Sequence, residues 1–386
     1  MLAAQGLLNP PEASPTKDDI LAVIRRMGYL QIDTIQAVRR SQYLVLWSRL
    51  GSYDPRWLDE IHRDGQLFEY YAHALCYLPI EDYPIFRGRM LNDDRTGNDW
   101  KNWAEDHPEV ITHVRSFVME NGPVSSADFD SRTITTGWGR VKHEKLALQR
   151  MFSTGDLMVP YRDNFRRFYD LRERVLPDWD DADALDEDLA REALLLQAVH
   201  ALGVATEDWI ANYYYLLKTG LSDVLEGLVG SGRLIRVRIE GWDQPAYIHP
   251  DQYDLVEKCA KDEITPNLTT LLSPFDPIVS DRSRSLTIFN FDYRLEAYTP
   301  IKDRKYGYFC TPILHKGHIV GRLDPKVHRR EKWMEIKNLY MEPWVNLDED
   351  LVNVLSSVLY SFASWHGMSE FVVTANQYPE LQEALL

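Results

Sequence analysis

One order of elements can be read three times along this chain of 386 residues, and that recurrence restricts the fold more than any single motif. In the first copy Thr16 caps a helix over Lys17–Met27, with Asp19 at the capping-box position and Gly28 as its stop. A strand over Leu30–Ile35 follows. Then come a helix from Ser41 to Leu50 closed by Gly51, a helix opened by Pro55 and ended by Gly65, and a strand near Leu67–Tyr71. The second copy reads as a helix over Pro108–Asn121, a short strand at Pro123-Val124, a capped helix over Ser125–Asp130 and a third helix over Val141–Ser153. A hairpin closes it, Asp156–Tyr161 with Phe165–Leu171 around Arg162-Asp-Asn164. The third copy has helices over Glu187–Leu202, Thr206–Tyr213 and Leu221–Val229, then a hairpin of Leu234–Glu240 and Pro245–His249. No sequence identity relates the copies, so periodicity and turn chemistry alone carry the repeat.

Helix, strand, helix, helix and strand is the order of a winged helix. The pattern therefore predicts an α+β chain with three such motifs, at 1–103, 104–177 and 178–250, and a small α+β unit at 251–386. The acidic stretch Asp178–Asp188 after Pro177 reads as the linker between the second and third motifs. In the last unit Ser273-Pro-Phe-Asp-Pro277 is a rigid turn. Tyr306–His315 and His318–Asp324 form a hairpin closed by Lys316-Gly317, followed by a strand near Lys332–Leu339 and a helix from Leu347 to Trp365.

The candidate chemistry lies in Tyr29-Leu-Gln-Ile-Asp-Thr-Ile35. On a strand, Gln31 and Asp33 project from one face, while Leu30, Ile32 and Thr34 project from the other. A carboxylate and a carboxamide side by side can hold one water. The plainer alternative is the polar edge of a half-buried strand.

Composition restricts the class of activity. Cys76, Cys259 and Cys310 are odd in number and far apart, which argues against a disulfide framework and a structural zinc site and fits a reducing cytosol. No apolar run is long enough to span a bilayer, and Met1-Leu-Ala-Ala-Gln5 lacks the basic start of a secretory signal, so the sequon at Asn267 reads as coincidental. The expected compartment is the cytoplasm. A net charge of −16 opposes general binding to a polyanion, but the charge is uneven. Ser131–Arg174 holds ten basic against five acidic residues, a net +5 that leaves the remainder at −21. Such an island confines any nucleic-acid contact to one cleft.

Longer runs make a family legible. Gly28–Ile35 followed by Arg40-Ser-Gln-Tyr-Leu-Val-Leu-Trp-Ser-Arg-Leu-Gly51 resembles the tandem winged-helix DNA glycosylases, bacterial crosslink-unhooking enzymes related to the azinomycin-resistance glycosylase. So do Glu69-Tyr-Tyr-Ala-His73, Ser126–Phe129, Pro177-Asp-Trp-Asp180, Leu272–Pro277, Tyr306–Phe309 and Gly321-Arg-Leu-Asp324 with Lys326 and His328. The resemblance runs through nearly the whole chain, and glutamine, apolar residue, aspartate is similar to the housekeeping subgroup. It implies three winged helices in a C-shaped arrangement around DNA, no metal or other cofactor, and cleavage of N-glycosidic bonds of alkylated purines, interstrand crosslinks included. It also implies residues ahead of Leu2–Gly6, so that the first helix is expected to be clipped.

The chemistry follows from the substrate. A purine alkylated at N7 is already cationic and leaves readily, so the demand falls on the sugar. An ionised carboxylate stabilises the oxocarbenium character at C1′ and orients the attacking water. Asp33 suits that role as general base, with Gln31 positioning the water or a sugar oxygen. No lysine adjoins them in sequence, so hydrolysis without a lyase step is expected. Arg39, Arg40, Ser41 and Tyr43 open the following helix and are candidates for phosphate contacts. His73 is a further candidate, against the alternative of a core histidine. Trp138, Lys142, His143 and Lys145 open the groove-reading helix of the second copy, and Arg162, Asn164, Arg166 and Arg167 lie on its wing. Arg49 reads equally as a phosphate contact or a structural salt-bridge partner, and Asp276, Asp281, Arg322 and Asp324 read as structural ion pairs, with a grasp on the strand opposite the lesion as their alternative. Tyr213–Tyr215 and Phe289–Tyr293 read as core. The expected partner is double-stranded DNA with alkylated or crosslinked purines, bound by a monomer because such a lesion has no dyad. The alternatives are a non-catalytic winged-helix DNA-binding protein that shields damage and a transcription factor, which would need a symmetric site and no Asp33. A carbohydrate glycosidase would need a second acid beside Asp33.

Overall fold

The computed structural model describes residues 1–92, 98–129 and 142–374. The chain is a mixture of helices and sheets that divides into two compact units, Met1–Pro55 with the chain from Leu196 onward, and Arg56–Leu195. Among the described residues no helix is long and apolar enough to cross a membrane.

The first unit begins with α1 (Lys17–Met27). Its capping box is formed as expected: the Thr16 hydroxyl accepts from the Asp19 N–H, and the Asp19 carboxylate accepts from the Thr16 N–H. Gly28 ends the helix at φ 75°, a left-handed conformation that disfavours a side chain, and a Cβ there would strike the Tyr214 hydroxyl. Next come β1 (Leu30–Gln31) and α2 (Ser41–Leu50). The expected strand over Leu30–Ile35 is thus only two residues long. The Asp33 carboxylate takes the Ile35 N–H at 2.7 Å, an Asx turn that removes a ladder donor and bends the chain out of the sheet. Thr34 is accordingly exposed rather than inward.

The second unit opens with α3 (Arg56–Arg63) and the antiparallel pair β2 (Leu67–Tyr71) and β3 (Leu75–Pro79). β3, α4 (Tyr83–Asn92) and α5 (Asn98–Asp106) escape the periodicity reading. Next comes α6 (Pro108–Asn121), as expected. The short strand at Pro123-Val124 is one bridge, Val124 to Tyr169, and the expected helix over Ser125–Asp130 is a turn through Phe129. Its capping chemistry is present, with the Ser125 N–H donating to Asp128 at 2.7 Å, but no helix is built on it. α7 (His143–Ser153) leads to the hairpin β4 (Leu157–Asp163) and β5 (Arg166–Leu171), then α8 (Arg172–Val175). The expected linker carries a 3-10 turn at Asp181–Asp183 tied down by Arg87, whose guanidinium donates twice to Asp181 at 2.7 and 2.8 Å.

The division between the units falls within α9 (Glu187–Leu202). The first unit resumes with α10 (Glu207–Tyr214), α11 (Leu221–Gly230), and the hairpin β6 (Ile235–Val237) and β7 (Ala246–Ile248), shorter than expected at both strands. The helix α12 (Tyr253–Ala260), β8 (Thr269–Leu271) and helices α13 (Pro277–Ser280) and α14 (Arg282–Phe289) follow. β9 (Thr311–His315), β10 (His318–His328), β11 (Trp333–Met341), α15 (Glu349–Trp365) and β12 (Glu370–Val373) complete a five-stranded sheet in the order β12-β11-β10-β9-β8. Lys316 and Gly317, at φ 45° and 89°, make the tight turn between His315 and His318. One face of this sheet buries Leu268, Leu272, Ile278, Phe291, Leu314 and Ile319.

Candidate active site

The polar pair of the first unit sits where apolar anchors alternate with it. Leu30 and Ile32 are buried, whereas Gln31 and Asp33 are half-buried, so the expected alternation persists through Asp33 although the strand does not. Two contacts fix the aspartate. Its N–H donates to the buried Gln42 Oε1 at 3.3 Å, and its Oδ1 accepts the Ile35 N–H. Among the described residues no cation pairs with the carboxylate, and Oδ2 accepts no hydrogen bond. Burial raises its pKa above the ordinary carboxylate value, with the Ile35 N–H opposing part of the rise. Tyr298 lies near enough to feel its charge: slight desolvation, then Asp33, then Tyr308 hold the phenol above its usual value.

The segment from Asp33 to α2 is held by elements more than two hundred residues away. Val327 N–H donates to Ala37 O at 3.5 Å, and Arg329 donates to Val38 O at 2.7 Å. The Arg39 N–H donates to His366 Nε2 at 3.2 Å, while its guanidinium donates to Trp365 O and lies 4.9 Å from the Trp365 ring centroid. Ser41 is fully buried, its Oγ 2.5 Å from Ser273 Oγ. Arg39 is thus engaged with Trp365 and His366, and Ser41 is enclosed, placements that differ from the open side chains expected for phosphate contacts. Arg40 is half-buried at the N-cap of α2, and Tyr43 is half-buried with its carbonyl accepting from Tyr53. Arg49 takes the salt-bridge alternative and pairs with Asp276 at 2.6 Å, both almost wholly buried, with Gln5 bound to the same guanidinium. Arg322 donates to Glu342 at 2.8 Å, and Asp324 accepts the Tyr308 and Phe309 N–H groups, so both are structural. Arg284 lies 3.8 Å from Asp281. Tyr213, Phe291 and Tyr293 are core, whereas Tyr215 stands exposed.

The second unit holds the remaining candidates, described by themselves. His73 is half-buried in the turn between β2 and β3. Trp138 lies outside the described residues. Lys142, the N-cap of α7, donates to Phe129 O at 2.7 Å, and the half-buried His143 ring sits edge-on to His107 at 5.0 Å and to Trp103 at 5.8 Å. Lys145 is exposed. On the hairpin, Arg162 is committed inward, donating to both oxygens of the fully buried Glu69 side chain at 2.5 and 2.7 Å, and Arg167 lies 3.4 Å from the same carboxylate. These two arginines correct the expectation of groove contacts: alternation along β4 and β5 turns them toward a buried acid whose charge they offset. Burial pushes Glu69 up, but Arg162, His62 and Arg167 outweigh it and hold the carboxyl below its usual range. Arg166 and Asn164, the latter at φ 48°, point to solvent. The outward set is therefore Lys145, Asn164 and Arg166.

Sequence reasoning missed Gln42, Trp365, His366 and Arg329, which position the Asp33 segment. Nothing local marks Trp365, His366 and Arg329, because their partners are remote in sequence, whereas Gln42 lies nine residues from Asp33 on the next helix. Among the described residues no group of three or more His, Cys, Asp or Glu is arranged to hold a metal ion.

Comparison with known proteins decides the family. The model of the family described as DNA glycosylase AlkZ-like matches residues 24–365. The chain belongs to the AlkZ-like DNA glycosylase family. That match takes in Gln31, Asp33, α2, Arg329 and Trp365, and ends one residue before His366. Among solved structures the chain is similar to the Streptomyces sahachiroi DNA glycosylase AlkZ, with a TM-score of 0.63 at 15% identity, covering 97% of this chain and 96% of that one. At that identity the likeness speaks for the fold.

Proposed function

We propose that this DNA glycosylase hydrolyses the N-glycosidic bond of N7-alkylated purines in duplex DNA, interstrand crosslinks included, with Asp33 as the working carboxylate. The observation that carries this reading is a half-buried carboxylate with one oxygen anchored by a backbone N–H and, among the described residues, no cation paired with it. A paired carboxylate would have its charge spent on its partner. Asp33 instead presents its charge to whatever approaches Oδ2, which suits an incipient oxocarbenium ion and a water to be deprotonated. Gln31, one alternation earlier and equally half-buried, positions that water. Because the base leaves as a neutral purine, no acid is needed on the leaving group, and water rather than an amine is the nucleophile.

The second unit supports a duplex substrate. In it α6, a bridge at Val124, α7 and the β4–β5 hairpin follow the order of a winged helix, and the third copy repeats this with a bridge from Ala205 to Tyr247. Lys145 opens the helix that would enter a groove, and Asn164 and Arg166 tip the wing.

Incubation with a duplex crosslinked by a nitrogen mustard tests the substrate class. The expected outcome is strand separation on denaturing gels after mild treatment that spares uncrosslinked DNA, together with release of N7-methylguanine from a singly alkylated duplex. Release of undamaged bases, or of neither lesion, contradicts it.

A further inference from the structure

An exposed, braced loop lies within electrostatic reach of Asp33. Residues 296–307 leave α14 and return to β9, and their base is closed by one carboxylate: Glu296 accepts the N–H groups of Lys305, Tyr306 and Gly307 at 3.0, 2.8 and 3.1 Å. Across the middle, Arg304 Nε donates to Thr299 O at 2.9 Å and its guanidinium lies 5.0 Å from the Tyr308 ring. Below, Arg322 is sandwiched between the rings of Phe291 and Tyr306, 4.1 Å from each. Gly307, at φ 148°, leaves no room for a Cβ against Asp324. Such a loop is held in shape from within.

Among the side chains it holds outward, beside the exposed Lys302, Asp303 and Lys305, are two large apolar ones. Tyr298 is 78% exposed and Ile301 is 80% exposed, three residues apart around Pro300 at the start of a 3-10 turn. A braced backbone that presents an aromatic ring and a branched aliphatic chain to water has kept a stacking surface at low conformational cost, since little is left to order on binding. Single exposed apolar residues are common. Here two of them sit together on a braced loop within electrostatic reach of Asp33.

Resting on the glycosylase reading above, we propose that the tip of the 296–307 loop is a wedge: the Tyr298 ring, flanked by Ile301, stacks on the bases next to the damaged nucleotide and holds the duplex open for Asp33. Apolar wedges unstack a base step, and an aromatic face stacks on any base regardless of sequence. The wedge explains how a shallow, half-buried carboxylate reaches C1′ inside a paired helix. The ring does the work and the hydroxyl does not.

Two readouts test this on the full-length protein. The first uses a duplex with a tetrahydrofuran abasic analogue beside 2-aminopurine, whose fluorescence reports stacking without any chemistry. The second is single-turnover release of N7-methylguanine from matched duplex and from the same lesion in an unpaired bubble. Wild type is expected to change the 2-aminopurine signal. Tyr298→Ala is expected to abolish most of that change and to slow release from matched duplex by about tenfold or more, with the defect largely recovered in the bubble. Ile301→Ser is expected to do the same in smaller measure, and Tyr298→Phe to behave as wild type. Equal fluorescence and equal rates for Tyr298→Ala overturn the wedge, as does a Tyr298→Phe variant as impaired as Tyr298→Ala. If wild type perturbs 2-aminopurine through Tyr298 yet releases no base, the wedge stands and the hydrolytic reading fails.

Discussion

Two side chains show how single residues set this site. Asp33 spends one oxygen on an Asx turn and leaves the other open, so the same carboxylate shapes the loop and remains available. His366 works oppositely. Its Nε2 accepts the Arg39 N–H, so Nδ1 carries the proton, which it donates to Phe362 O at 2.7 Å; the ring is neutral and both nitrogens are used. Burial lowers its pKa to about 3, Arg39 and Arg329 add to the fall, and the Phe362 carbonyl opposes it. A folded pKa below the unfolded value of about 6.5 means a contribution to stability present above pH 6.5 and lost progressively as pH falls from there toward 3. Urea unfolding of wild type and His366→Gln between pH 7 and pH 4.5 checks this. The stability gap between them is expected to narrow as pH falls, and a gap that widens contradicts the neutral tautomer.

Among the elements, α2 carries the most. It follows the Asp33 segment, and its Arg49 reaches the buried Asp276 at the N-cap of α13, where Asp276 also accepts the Ile278 N–H at 3.0 Å. Removing one partner leaves the other charge buried and uncompensated, so Asp276→Ala is expected to cost about 3–5 kcal/mol in chemical denaturation. The Asp276→Ala, Arg49→Ala double variant is expected to lose much less than the sum; additive losses would contradict a shared network. α2 itself was legible, since Gly51 and the apolar spacing fix both ends. The strand before it was overestimated, because an Asx turn uses one side-chain oxygen that periodicity cannot weigh against a ladder bond. The helix expected over Ser125–Asp130 failed similarly: a capping contact forms without enough apolar surface behind it to extend a helix. β3 was missed because its apolar residues run without a break, and α4 because Arg87 and Gly88 are buried along with its apolar residues, which erases the period that marks a helix.

At the level of the whole molecule, the polar pair was more legible than the contacts. Gln31 and Asp33 stand out as polar residues inside an apolar run, and their half-burial beside buried Leu30 and Ile32 keeps the expected alternation. Of the basic candidates, Lys145 and Arg166 are outward, while Arg162 and Arg167 serve Glu69. Sequence counts charges but cannot tell a charge offered to solvent from one consumed by a buried acid. The braces on the Asp33 segment, from β10, Arg329 and the end of α15, give the C-terminal sheet a reason to exist: it holds a short, turn-ended loop rigid without extending the strand. All of this converges on one carboxylate. The decisive measurement is the single-turnover rate of N7-methylguanine release across pH for wild type and Asp33→Asn, with duplex affinity measured in parallel. Wild type should lose rate as pH falls through a carboxylate titration lying above the ordinary aspartate value, and Asp33→Asn should retain affinity while losing roughly 10²–10⁴-fold in rate at neutral pH. An Asp33→Asn protein that binds and cleaves like wild type would contradict it.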